Sequence, residues 1–282
     1  MTQAFNRLIL LLFVALLLPG CARMALYAAP ELVPNMTGAF FEECDATLAQ
    51  EALPAELKLL EGLLKNAPKN EQLLTSLCMG FAGYAMLFVE EEAPERASLF
   101  YERARGYGMR ALRIRGFTPP DIDARLAGVG PESVEPLFWT SLAWNGWIRL
   151  NLDKPSALGQ LGMAQKCLER VMEMDPDFFY GSPYIVYGAL LAAKPKLLGG
   201  DPAKAARYFA KAMDVSQGRF LLAQYYYAKT YAVRVQDKSL FSALVKSVEK
   251  AGPGDLKEAC LINTVMKQKM RALGAAAEDL FF

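Results

Sequence analysis

Apolar residues recur at helical spacing along almost the whole chain after residue 44, and this constrains the fold more than any other feature. Leu57, Leu60 and Leu64, for example, fall on one side of a helix. Asp, Asn and Pro stand at the expected starting positions and divide the pattern into successive helices. No run of alternating residues typical of a strand competes. The sequence therefore predicts an all-α fold.

The predicted helices are separated by short breaks. They cover residues 45–53, 54–67, 70–84, 94–115, 134–150, 158–174, 184–193, 202–215, 220–235, 238–251 and 256–273.

Three segments carry the small–large–small spacing of the second helix of a tetratricopeptide unit. They are Ala97-Tyr101-Ala104, Ala164-Leu168-Val171 and Ala205-Phe209-Ala212. Small residues at these positions let neighbouring helices approach closely. The last position of the pattern, often Pro, is Pro176 in one segment but Gln217 in another. The matches are 67 and 41 residues apart instead of a constant 34. The spacing predicts a degenerate tetratricopeptide-like array of helical hairpins.

The N-terminus reads as an export signal that ends at a lipid-modified cysteine. Arg7 precedes an apolar run over residues 8–18, and Pro19, Gly20 and Cys21 follow. This ending resembles a bacterial lipobox, in which the cysteine takes a diacylglycerol and its amine a further acyl chain such as palmitate. An ordinary cleaved signal with a coincidental cysteine is the alternative. Outside this leader, we expect no apolar stretch long and charge-free enough to span a membrane.

The chain therefore divides into three predicted parts: a signal peptide at 1–20, a lipid anchor and tether at 21–43, and a helical domain at 44–282. We expect the protein on the periplasmic side of a bacterial membrane. The outer membrane is favoured, because residue 22 is Ala and not the Asp that retains some lipoproteins in the inner membrane.

Composition argues against several functional classes. The 31 basic and 30 acidic residues nearly cancel, which does not favour nucleic-acid binding. The chain contains no histidine, which removes the Ser-His-Asp and Cys-His constellations and the HExxH metal motif. We expect no enzyme activity, metal or cofactor. A hydrolase with paired carboxylates stays open as an alternative, because such a pair needs only spatial proximity.

Four cysteines remain beyond the leader: Cys44, Cys78, Cys167 and Cys260. None forms a CxxC pair, so a zinc or redox motif is unsupported. Cys78 and Cys167 lie in apolar helical stretches and read as small core residues. One or two disulfides are compatible with an oxidising compartment.

Aromatic residues supply the candidate ligand-lining positions. Phe138, Trp139, Trp144 and Trp147 crowd one helix and spread around much of its circumference. Such a helix must be covered on nearly every side, either by core or by a lumen that holds something apolar. Tyr227 and Tyr231, which belong to a second aromatic run, are the other candidates. Burial in a core and lining of a channel both remain open for these residues.

Two polar motifs are explained structurally. In residues 199–202 the glycines allow a tight turn, Asp201 caps a helix and Pro202 begins it. A phosphate-binding loop would need a different glycine spacing and a preceding strand. The acidic run Glu90-Glu91-Glu92 reads as a solvated edge at the end of a helix.

Four stretches carry a family resemblance. They are LPAELKLLEGLL at residues 53–64, LFWTSLAWNGWI at 137–148, LGGDPAKA at 198–205 and QDKSLF at 236–241. Their order and spacing resemble the T component of tripartite ATP-independent periplasmic (TRAP) transporters, the TatT lipoproteins. The resemblance implies a tetratricopeptide-like body, a homotrimer, an apolar channel in each protomer, and a periplasmic solute-binding P component as partner. It also implies uptake of a hydrophobic or organic-acid ligand. The alternative is a helical-repeat lipoprotein that scaffolds envelope assembly.

Overall fold

The computed structural model describes residues 29, 31–113 and 122–281. Every regular element in these ranges is helical and none is a strand, so the all-α prediction is confirmed. The predicted signal peptide and Cys21 lie outside the described residues, as do residues 22–28 and 30 of the predicted tether.

The α-helices are numbered here in chain order. They are α1 Leu32–Glu42, α2 Ala46–Asn66, α3 Glu71–Tyr84, α4 Pro94–Ala111, α5 Ile122–Ala127, α6 Val134–Arg149, α7 Pro155–Leu158, α8 Leu161–Met174, α9 Phe178–Ala193, α10 Pro202–Val215, α11 Leu221–Tyr226, α12 Lys238–Lys250, α13 Cys260–Ala275 and α14 Ala277–Leu280. Single π-helical segments, Ala85–Val89 and Tyr227–Ala232, extend α3 and α11.

Helix α2 is continuous where the sequence predicts a break at Pro54. Asp45 begins it as predicted, since its side chain accepts hydrogen bonds from the backbone N–H groups of Thr47 and Leu48 at 2.9 and 3.1 Å. A buried stripe that includes Leu53 and Leu57 runs past the proline. Burial of each such leucine contributes about 2 kcal/mol, so the stripe together outweighs a proline cost of about 3 kcal/mol.

Helix α1 occupies part of the segment that the sequence assigns to a tether. No side chain caps its start and no acidic residue lies in its first turn. Its stability therefore comes from tertiary packing. Val33 is buried, and the helix packs on α3 and α13. The sequence around Pro34 contains no local signal for this helix, because the helix is stabilised by its contacts with distant helices.

The helices pack in sequence as neighbours and the array then closes on itself. Helix α3 packs between α2 and α4, α6 packs between α4 and α8, and α9 pairs closely with α10. Helix α13, near the C-terminus, packs against α11 and α12 and also against α1 and α2. The first described helices therefore meet one of the last, and a central space lies between them.

The predicted tetratricopeptide-like positions are all buried, although the arrangement itself stays a prediction. Ala205, Phe209 and Ala212 lie on the side of α10 that packs against α9. The departure from the pattern at Gln217 has a backbone cause. Its φ is 51°, which proline cannot adopt because its ring fixes φ near −65°.

The turn before α10 matches its prediction. Asp201 accepts a hydrogen bond from the backbone N–H of Lys204 at 2.9 Å, and Gly199 has a φ of 85°. A Cβ at Gly200 would lie 2.0 Å from the carbonyl oxygen of Lys194, so only glycine fits there.

The prediction of a solvated acidic edge at residues 90–92 is wrong for Glu90, whereas Glu91 and Glu92 are exposed. The π-helical segment turns Glu90 inwards, where it accepts a 2.6 Å hydrogen bond from the Tyr101 hydroxyl and an ion pair from Arg149. Glu91 pairs with Lys229 at 2.7 Å and Lys269 at 3.1 Å. Burial would raise the pKa of Glu91, but hydrogen bonds, chiefly from Lys229, lower it to about 2.

One segment beyond the leader does have the length and composition to cross a membrane, contrary to the sequence expectation. Residues Glu71–Val89 form 19 residues of α3 and its π-helical extension. However, 72% of the apolar window is buried inside the protein, between α2, α4 and α6. The segment is explained as the core helix of the array.

Candidate ligand site: an inner chamber and a vestibule beneath the first helix

The enclosed space contains a small apolar chamber of about 70 Å³. Its walls come from α1, α2, α3, α6 and α9, with further residues from α11 and α13. Apolar side chains predominate in the walls, among them Phe40, Leu57, Met86, Phe138, Leu222 and Ile262. The polar side chains in the walls are Thr37, Glu56, Ser76 and Ser182. The chamber therefore suits an apolar group together with a small polar one.

A wider and more polar cavity of about 500 Å³ adjoins the chamber, and we call it the vestibule. The two share Thr37, Phe41, Ser76, Met79, Trp139 and Phe179 in their walls. The vestibule also contains the carboxylates of Glu71, Glu132 and Glu135. Neither set of lining residues includes a lysine or an arginine.

Three aromatic rings form a partition between the chamber and the vestibule. The Phe179 ring lies 5.2 Å from that of Phe41 and 5.3 Å from that of Trp139, centre to centre. The Trp139 contact is edge-to-face, the arrangement that aromatic quadrupoles favour. The partition consists of side chains from α1, α6 and α9.

The backbone under this partition is strained. Phe179, Tyr180 and Gly181 have φ values of 45°, 60° and 77°, and the first two are bulky residues that rarely adopt a left-handed conformation. Such conformations cost about 1–3 kcal/mol each and cluster at functional sites. The Ser182 hydroxyl donates to the Phe179 carbonyl at 2.7 Å. The strained turn directs the rings of Phe178 and Phe179 toward the two cavities.

Glu56 is the ionisable group of the inner chamber. It forms no hydrogen bond or ion pair with another described residue, and burial raises its pKa to about 7. Near neutral pH both the neutral and the charged form of the side chain are therefore accessible. It can donate a hydrogen bond when neutral and pair with a cation when charged.

Trp139 and Glu135 meet at the vestibule wall. Trp139 is only 4% exposed, and its indole N–H has no partner with hydrogen-bond geometry among the described residues. Burial raises the pKa of Glu135, and an interaction with the Trp139 indole lowers it in part. An unsatisfied buried N–H is unfavourable, so this wall holds a donor that an occupant or water would satisfy.

Of the six aromatic residues that the sequence predicts to line a ligand site, two lie in the chamber wall and four lie elsewhere. Phe138 and Trp139 stand in the chamber wall. Trp144 and Trp147 face away from it, and the Arg105 guanidinium lies 5.3 and 5.1 Å from their ring centres. The Trp144 indole also donates to Gln160 at 2.8 Å.

The two tyrosines also lie away from the chamber. Tyr227 stacks on Phe209 at 4.9 Å and contacts Tyr231 at 5.2 Å between ring centres. Neither belongs to the walls of the chamber or the vestibule. These contacts are those of packed core residues.

Sequence reasoning missed Glu56, Phe178, Phe179 and helix α1 as parts of the site. Residues 178–180 read FFY, an aromatic cluster that could have been noted. Their left-handed backbone has no sequence signature, because it depends on the packing of α9 against α10. At Gly181 a Cβ would lie 3.2 Å from the Cα of Ala212, which shows how close that approach is.

The cysteines sort into one disulfide and two core thiols. Cys44, between α1 and α2, bonds to Cys260 at the start of α13. Cys78 and Cys167 are buried and free, as predicted, and burial raises the pKa of both to about 12. In the described ranges, no three His, Cys, Asp or Glu side chains are grouped as metal ligands would be.

These features define the class: an all-α protein whose helical array closes around a small apolar chamber with an acidic vestibule. Comparison with known families identifies it further. The chain belongs to the TRAP transporter T-component family, whose model matches residues 42–281. No curated protein matches the chain. The family assignment makes the chain an accessory component of TRAP transport. It associates with a TRAP transporter and is located at a membrane of the cell envelope.

That assignment bears on the hydrolase alternative. The vestibule does bring carboxylates into a polar cleft, as the alternative required. However, the family is a transporter accessory component, a class that is not typically enzymatic.

Proposed function

We propose that this protein is a lipid-anchored periplasmic accessory that binds the solute-binding P component of a TRAP transporter and holds a ligand in the inner chamber. The observation that carries the proposal is the chamber itself, most of whose lining residues lie within the range that matches the family, residues 42–281. Helix α1 covers it, and that helix lies within the segment predicted to join the lipid anchor to the body. The anchor would hold the site at the membrane. A soluble partner then needs to search only the thin layer next to that membrane to find the site.

The anchor is tested by Cys21→Ala. We expect the variant to move from the membrane fraction to the soluble fraction with its thermal unfolding unchanged, because Cys21 precedes the first described helix, which begins at Leu32. Fractionation of cells and calorimetry measure the two results. A variant that stays on the membrane would show that Cys21 is not the anchor.

The partner is tested by purification from membranes that co-express the tagged protein with a TRAP P component and permease. We expect the P component to be retained by the wild-type protein. Cross-linking before solubilisation would capture a weak complex. A tagged protein that retains envelope-assembly machinery and no P component would support the scaffold alternative instead.

The oligomeric state is part of the same proposal, since the family resemblance implies a homotrimer. Light scattering on the Cys21→Ala variant in solution measures its mass directly. We expect three times the protomer mass, and a monomer would contradict the trimer.

The chamber is tested by filling it. Gly83 lines the chamber, and no neighbouring side chain lies within 4 Å of the position a Cβ would occupy there. Gly83→Leu should therefore place a side chain in the chamber, and loss of a helical glycine should also stabilise α3 by about 0.5–1 kcal/mol.

The matched control for this variant is Gly62→Leu. Gly62 is exposed on α2, with no neighbour within 4 Å of a Cβ. Mass spectrometry of extracts from the purified proteins should find a small molecule retained by the wild type and by Gly62→Leu but not by Gly83→Leu. Equal retention by all three would place the ligand elsewhere.

A further inference from the structure

The walls of the chamber and vestibule are acidic and their charges are unpaired. Glu56 lines the chamber, and Glu71, Glu132 and Glu135 line the vestibule. None of the four forms an ion pair with another described residue, whereas carboxylates elsewhere, such as Glu61, do. With no lysine or arginine among the lining residues, nothing in the walls neutralises this charge.

Helix geometry accounts for two of these carboxylates but not for Glu56. Glu71 and Glu135 stand in the first turns of α3 and α6, where the helix dipole favours an acidic side chain. Glu56 lies inside α2, beyond the reach of that effect. A half-buried carboxylate without a partner is unfavourable, and this partial burial raises the pKa of Glu56 to about 7. A cationic ligand would supply the missing partner.

The aromatic rings around the passage suit the same ligand. Trp139 and Phe179 belong to both cavities, and Phe178 belongs to the vestibule. Aromatic faces attract organic cations, with tryptophan the strongest.

We propose that the site binds an amphiphilic organic cation, a small alkyl ammonium whose charged group pairs with Glu56 and whose apolar part passes between the aromatic rings of the partition. The vestibule carboxylates attract the cation and guide its entry. An organic acid would meet the vestibule carboxylates and, among the described lining residues, no cation. This inference rests on the proposed function, since it names the class of ligand that the chamber holds.

Size supports a small ligand. The chamber of about 70 Å³ accommodates an ammonium group and a few methylenes, and the remaining chain would lie in the vestibule of about 500 Å³. A linear probe with six carbons can therefore extend from the chamber into the vestibule without placing a bulky group in either cavity.

The test compares n-hexylammonium, hexanoate and hexanol by calorimetry and tryptophan fluorescence, with the Cys21→Ala protein as the parent. We expect hexylammonium to bind at least tenfold more tightly than hexanoate.

Glu56→Gln, which keeps the shape of the side chain, should weaken hexylammonium binding tenfold or more and leave hexanol binding within twofold. The double variant Glu132→Gln, Glu135→Gln should slow association several-fold at low salt and leave dissociation nearly unchanged.

Filling the chamber locates the binding. Gly83→Leu should abolish hexylammonium binding, and Gly62→Leu should not affect it. Equal binding of all three probes, still lost in Gly83→Leu, would overturn the cation inference while leaving the chamber as a ligand site. Tighter binding of hexanoate, no effect of Glu56→Gln, or no binding by any probe would also overturn it. The retention of a P component is measured separately and does not depend on these outcomes.

Discussion

Cys44 and Cys260 are joined by a disulfide with their Cα atoms 5.1 Å apart, although 216 residues separate them in the chain. The bond fixes the end of α1 to the start of α13, where the array closes on itself. Leu261 and Ile262, which follow Cys260 directly, line the inner chamber together with Phe40 and Phe41 of α1. The disulfide thus holds together two walls of the candidate site.

Removing the disulfide should destabilise the protein substantially. For a loop of this length, the entropy restored to the unfolded chain corresponds to about 3–5 kcal/mol. Cys44→Ser, Cys260→Ser and the double variant should lower the urea midpoint equally, and reduced wild type should match them. Hydrogen exchange in α1 should rise most, because that helix has no capping side chain. An unchanged midpoint on reduction would contradict the prediction.

Glu56→Gln should stabilise the protein in a pH-dependent way. The folded pKa is about 7 and the ordinary pKa of a glutamate is 4.5, so the unfolded chain releases this proton at lower pH. Wild-type stability therefore falls between pH 4.5 and pH 7, and the glutamine variant lacks that fall. After allowance for partial exposure, we expect a difference of about 1–2 kcal/mol at pH 8 and none at pH 4.

Urea unfolding at several pH values measures that difference. The control is Glu51→Gln, an exposed position on the same helix, for which we expect no pH-dependent gain. A gain of equal size at pH 4 and pH 8 would mean that packing, not desolvation of the carboxylate, explains the effect.

Arg149→Met should leave the Glu90 carboxylate buried with only the Tyr101 hydroxyl as partner. The side chain of Glu90 is 4% exposed and that of Arg149 is 48% exposed, so the pair is buried on one side only. We expect a loss of about 2–3 kcal/mol. Adding Glu90→Gln should recover part of it, because the uncompensated charge is removed. A double-mutant cycle by urea unfolding measures the coupling, and purely additive losses would contradict it.

Gln217→Gly should raise the unfolding temperature. Gln217 is exposed and has a φ of 51°, a conformation that costs a residue with a Cβ about 1 kcal/mol. Gln217→Pro, which restores the residue typical of a tetratricopeptide unit, should instead destabilise by about 3 kcal/mol or more. Calorimetry compares the two, and a stabilising proline would show that the backbone at this position is not constrained as described.

The sequence by itself determined the all-α class and most helix positions. Predicted and observed helices agree closely at α3, α6, α10 and α12, because buried apolar residues at a period of 3.6 and capping residues such as Asn70, Asp201 and Asp237 are local signals. The core roles of Cys78 and Cys167 follow from the same local pattern.

Tertiary structure alone decided the candidate site. Helix α1 has no local start signal and forms because Val33 packs on distant helices. The strained turn at Phe179 depends on the approach of α9 to α10, and the unpaired state of Glu56 depends on which helices surround it. Of four clustered aromatics on α6, only Phe138 and Trp139 reach the chamber, because the direction of a helix face is set by its neighbours and not by its own residues.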